Sequence, residues 1–92
     1  VTQKKISEGF TAGQVTVGAT ATLIVPAGAG RETVTIVNNA AVDVFLGPAG
    51  VTITTGVLLA GVKGQTLSLP TTNAIYGVVA TATSPVSYID CN

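Results

Sequence analysis

The sequence predicts an all-β protein: a compact antiparallel β-sandwich or barrel of seven to eight short strands with an extended N-terminal arm. Three observations predict it. Thr and Val supply 29 of the 92 residues, and both are β-branched, stiff at χ1 and favoured on a pleated surface. Apolar and hydroxyl-bearing residues alternate over short runs, the period of a half-buried strand. Clusters of Gly, Pro, Asn and Ser break these runs at near-regular intervals, the spacing of a sandwich or barrel. A chain of this length forms one domain and buries roughly 60–65% of its unfolded surface in one modest core.

Each element follows in order. Residues 1–12 lack clean alternation, and Gly9 and Gly13 interrupt any helix; they are expected to form an arm ahead of a single domain at 13–92. Residues 14–17 form a short strand, and Gly18-Ala19 turns the chain. Residues 20–25 alternate with Ala21, Leu23 and Val25 on one face, which leaves Ile24 on the other. Residues 26–30 are a Pro/Gly/Ala loop. Residues 32–38 place Val34 and Ile36 inward, with Thr33 and Thr35 outward, before a turn at Asn38-Asn39-Ala40-Ala41.

Val42–Leu59 is the stretch around which the rest is organised. Val42, Val44 and Leu46 share an inner face, and Asp43 and Phe45 an outer one. A break at Gly47-Pro48-Ala49-Gly50 leads to a Thr-rich extended segment at 51–55, and a strand restarts at Val57. Strands at 66–69, 74–81 and 86–90 complete the set, with turns at 61–64, 70–73 and 83–85. A faint internal repeat relates residues 23–36 with 42–46 to residues 57–69 with 75–80, each copy being strand, Ala-Gly loop, strand, Asn, strand. It is expected to build two similar three-stranded units that face each other.

Charge excludes several functions. Only 9% of residues are charged, against about 25% in ordinary domains. Four basic residues at zero net charge give no basic face for nucleic acid or an anionic membrane. No apolar run approaches a membrane span, and the first eight residues have no signal-peptide core. With one cysteine, Cys91, no internal disulfide forms. A surface so poor in charge is expected to be covered in the working state by copies of itself or by a larger assembly.

Chemistry is scarce as well. There is no His, hence no imidazole base and no His-based metal site. The carboxylates Glu8, Glu32, Asp43 and Asp90 lie on different elements, at no spacing that a glycosidase pair or calcium loop requires. The hydroxyls lack a base, and no glycine run forms a phosphate loop. The protein is therefore expected not to be an enzyme, with no cofactor and no metal. Tyr76 and Tyr88 lie on strands and are expected in the core or on a sheet face. A shallow glycan site built on Asn and Thr stays open.

At Val34-Thr35-Ile36-Val37-Asn38-Asn39, Val42-Asp43-Val44-Phe45-Leu46-Gly47, Gly50-Val51-Thr52, Thr55-Gly56-Val57-Leu58-Leu59 and Ile75-Tyr76-Gly77-Val78, the chain resembles small β-rich structural proteins of tailed bacteriophages, of the head-decoration and head-fibre type. The resemblance covers roughly residues 15–90 and rests on fold-bearing positions, with no functional residue to carry over. It implies a non-enzymatic virion protein, made in the host cytoplasm, that sits on the capsid surface and decorates or stabilises it, with the major capsid protein as partner. The alternative is a glycan-binding host-recognition module of a fibre or tail. The first reading expects a self-associating β domain with a capsid-binding edge, the second an exposed polar-aromatic pocket near a loop end; the candidate partner-binding residues lie on the arm and on two outer faces. Lys4, Lys5, Ile6 and Phe10 would dock the arm on a neighbour's sheet edge. Ile24 and Phe45 would bury apolar outer faces in a homo-oligomer, expected to be a homotrimer.

Overall fold

The computed structural model describes residues 10–29 and 33–91. Eight antiparallel strands form two four-stranded sheets: β1 (Phe10–Val17), β2 (Thr22–Val25), β3 (Thr33–Asn38), β4 (Val44–Gly47), β5 (Val57–Leu59), β6 (Gln65–Leu69), β7 (Ile75–Val78) and β8 (Ser84–Cys91). One sheet has the order β1-β8-β3-β6 and the other β2-β7-β4-β5. The expected all-β antiparallel architecture is the observed one.

The core is aliphatic and lies between the sheets. Val34 and Ile36 of β3, Val44 and Leu46 of β4, and Val86 of β8 are fully or almost fully buried, as alternation requires. Hydroxyls meet on the outer face of the first sheet: Thr35 Oγ1 and Ser68 Oγ lie 2.8 Å apart on the β3–β6 ladder. Two fully buried polar side chains, Asn38 and Ser84, hold one end of the sandwich together. Asn38 Nδ2 donates to the carbonyls of Val42 (2.8 Å) and Ala60 (3.0 Å). Its Oδ1 accepts from Ala40 N–H (3.1 Å) and the Ser84 hydroxyl (3.0 Å). The amide thus closes the β3–β4 and β5–β6 connections against β8 with each of its polar atoms satisfied. Asn38 ends β3 rather than beginning a turn.

Four other expectations change. The first concerns β2. Leu23 pairs with Tyr76 but Val25 pairs with Ile75, so the register shifts between them. Such an irregularity breaks strict alternation. Ile24 (2% exposed) and Val25 (0%) both enter the core while Leu23 turns outward. Ile24 is therefore a core residue, not part of an outer face. The second concerns the arm: β1 begins at Phe10, so residues 10–12 belong to the sheet, paired with Cys91, Asp90 and Ile89. The remainder of the expected arm, residues 1–9, lies outside the described residues. The third concerns residues 51–55, which form turns and loop instead of an extended segment.

The fourth concerns the repeat. Its two copies are β2-β3-β4 and β5-β6-β7, and each sends its first and third strands to one sheet and its second to the other. The copies interleave rather than face each other. Exchanging β2 with β5, β3 with β6 and β4 with β7 returns the same pairings, so a pseudo-twofold axis passes between β4 and β7 and between β3 and β6. It also relates two aromatic–leucine pairs on the outer face of the second sheet, Leu23 opposite Tyr76 and Leu58 opposite Phe45. Only β8, beside β3, and β1, at the edge beyond it, lack counterparts.

A candidate recognition site on the β4–β5 loop

The loop between β4 and β5 is built by its sequence. Val51 N–H donates to Pro48 C=O at 3.1 Å, closing a turn whose third residue, Gly50, has φ +84°. That conformation favours glycine. The turn drives Val51 back onto the outer face of the β2-β7-β4-β5 sheet, where it is 5% exposed. Hydrogen-only positions make room for it: a Cβ on Gly47 or on Gly56 would come within 3 Å of Val51 Cγ2. Val51 thus pins the loop over the sheet.

Beyond that pin, four residues stay in solvent in a fixed arrangement. Thr52 C=O accepts from Thr55 N–H (3.2 Å) and Gly56 N–H (2.9 Å). Thr52 Oγ1 lies 3.0 Å from Thr54 Oγ1 and 3.1 Å from Thr55 Oγ1, and Thr55 Oγ1 accepts from Thr52 N–H at 3.0 Å. Ile53, at the tip, is 45% exposed. Across from it, the β1–β2 turn is held by Thr22 Oγ1, which donates to Thr20 C=O (2.9 Å) and accepts from Gly18 N–H (3.3 Å). Gly18 C=O accepts from Val79 N–H at 3.0 Å, joining this turn to the end of β7. Between the two lies an open depression of about 380 Å³, lined among others by Thr20, Ala21, Thr52, Ile53, Val79 and Ala80. Its lining carries no charge. A neutral surface of small and apolar residues edged by the hydroxyls of Thr20 and Thr52, on hydrogen-bonded turns, suits a neutral ligand held by close packing and a few hydrogen bonds.

Of the residues singled out from sequence, the three that fall among the described residues do not meet in one place. Lys4, Lys5 and Ile6 lie outside the described residues. Phe10 starts β1 on the outer side of the first sheet and is 70% exposed. Phe45 is half-buried on the opposite outer face, between Val78 and Leu58. Ile24 is in the core. No group of three or more His, Cys, Asp or Glu side chains stands together among the described residues. What sequence reasoning missed is the threonine loop. Its signal was the Pro48-Ala49-Gly50 turn directly before a run of hydroxyl residues.

No family model matches the chain, and no curated protein matches it. Among solved structures, the chain is similar to the stem and receptor-binding domain of the spike protein P1 from bacteriophage PM2, with a TM-score of 0.58 at 21% sequence identity. The match covers 89% of this chain and 33% of that one, so the chain spans about a third of the length of the structure it matches. At this identity the likeness is one of fold.

Proposed function

We propose that the chain is a non-enzymatic module of a phage virion that acts in recognition at the host surface. The carrying observation is the fold match over nearly the whole chain to a structure that includes a spike's receptor-binding domain. The threonine-edged depression supports the same reading, because it offers fixed neutral hydrogen-bonding groups and no catalytic set. The two accounts drawn from the sequence agree on a virion protein and part on the partner, and the fold match leans towards host recognition over decoration of the shell. The ligand class suited to the depression is a neutral glycan. Adsorption competition tests the reading. Excess soluble chain is expected to slow phage adsorption to host cells and to bind those cells directly. Binding to purified shells with no effect on adsorption would instead support decoration of the major capsid protein.

A further inference from the structure

Among the described residues the sandwich is closed on one side and open on the other. The pseudo-twofold axis places β5 where β2 stands in the other half, and β6 where β3 stands. Beside β3 lies β8, and β2 packs against both β8 and β1. Beside β6 the described residues supply no strand. The consequence is visible in Val57. It pairs with Leu46 and shares its inward face, yet Leu46 is 2% exposed and Val57 60%. Inward-facing Leu67 and Leu69 of β6 are only half-buried. Together with Leu46, Pro48 and Ile75 these residues line an apolar groove of about 480 Å³ between the two sheet edges.

We infer that a second copy of this chain fills that position, its β1 pairing with β6 of the first. Three observations commit the proposal to a copy. First, the lateral edges are stepped in complementary ways. One side ends with β1 overhanging in the first sheet, where Thr11 is exposed and Val15 half-buried although both face inward. The other side ends with β5 overhanging in the second sheet. A copy displaced by four strands sets its β1 beside β6 and its β2 beside β5, so that both sheets continue antiparallel across the junction. Second, side chains facing the same way across a strand pair stand ~5 Å apart, so the incoming inward row of β1 covers Leu67 and Leu69 and closes the space opposite Val57. Third, the edges are unguarded. Strands that must stay single carry Lys, inward charges or Pro. None of β1, β2, β5 and β6 contains a charged residue or a proline, and a chain of zero net charge does not repel its copy.

The contact joins two different surfaces. Such heterologous contacts close into rings when the rotation between copies closes and otherwise run on as filaments; the homotrimer expected from sequence is the smallest such ring.

Sedimentation of the full chain at tens of micromolar, paired with thiol cross-linking in a Cys91→Ser background, tests this. An assembly of three or more copies is expected. Val57→Lys, at a site exposed in the single copy, weakens association by roughly 30-fold or more, the scale of losing an interface anchor, and keeps the thermal midpoint of the monomer. One chain carrying Gln14→Cys (β1, outer face) and another carrying Thr66→Cys (β6, outer face) are expected to cross-link with each other when mixed, and neither with itself. A monomeric wild type, an assembly that Val57→Lys leaves intact, or like-to-like cross-links would each overturn the proposal. The adsorption test above is independent of all three.

Discussion

The Ser84 hydroxyl donates a 3.0 Å hydrogen bond to Asn38 Oδ1, and both side chains are fully buried. In a domain whose core is otherwise aliphatic, this pair ties the start of β8 to the end of β3. Through the Asn38 amide it also reaches the loops before β4 and after β5. Asn38→Ala leaves the Ser84 hydroxyl, the Ala40 N–H and two carbonyls without this partner. It is expected to cost about 3–5 kcal/mol, at the upper end for a single substitution. Ser84→Ala removes one bond and is expected to cost about 1–2 kcal/mol. Urea unfolding of both variants gives the ordering; equal costs would refute the hub role of Asn38.

Ala82, between β7 and β8, has φ +64°, the one non-glycine residue in the left-handed region among the described residues. That conformation costs a residue with a Cβ about 1–2 kcal/mol, and glycine gives back part of the gain through the unfolded chain. Ala82→Gly is therefore expected to stabilise the domain by up to about 1 kcal/mol, read as a rise in melting temperature. A fall would contradict the strain.

Gly13 and Tyr88 pair across β1 and β8, and the tyrosine ring lies over the glycine: an added Cβ would sit 2.8–2.9 Å from Tyr88 Oη, Cε2 and Cζ. Gly13→Ala must displace a packed ring, at about 1–3 kcal/mol. In combination with Tyr88→Val the cost of the alanine should largely disappear, a coupling that a double-mutant cycle measures. Additive costs would show that the ring moves freely.

Val51→Ser tests whether the β4–β5 loop is held by its single apolar pin. The substitution is expected to cost about 1–3 kcal/mol and to make the bonds around residues 52–55 sensitive to protease while the sheets persist. Resistance equal to wild type would show that the threonine hydrogen bonds alone hold the loop.

The parts of the fold legible in the sequence are those where one side-chain period governs. On β3, Val34 and Ile36 are buried and Thr33 is exposed, as two-residue alternation dictates. On β2 the irregularity between Leu23 and Val25 breaks that period, so Ile24 was assigned to the wrong face. Nothing in Leu-Ile-Val distinguishes a bulged apolar run from a regular one. Residue type points Asn38 to a turn, but its burial depends on Ser84, 46 positions later in the chain. The β4–β5 loop depends on Val51 finding Gly47 and Gly56, a tertiary contact that threonine-rich composition conceals. The repeat was visible, but its interleaving follows from pairings between the copies that similarity within each copy does not encode.

Binding of the labelled chain to host cells, compared between one variant on the loop and one on the far sheet, tests recognition most directly. Ile53→Asp changes the exposed loop tip, and Thr35→Asp changes the outer face of the β1-β8-β3-β6 sheet; both should fold. Saturable binding of the wild type is expected, with a loss of at least about tenfold in affinity for Ile53→Asp, equivalent to about 1.4 kcal/mol, and binding within a few-fold of wild type for Thr35→Asp. A wild type that ignores host cells, or a loss confined to Thr35→Asp, would contradict recognition through this loop.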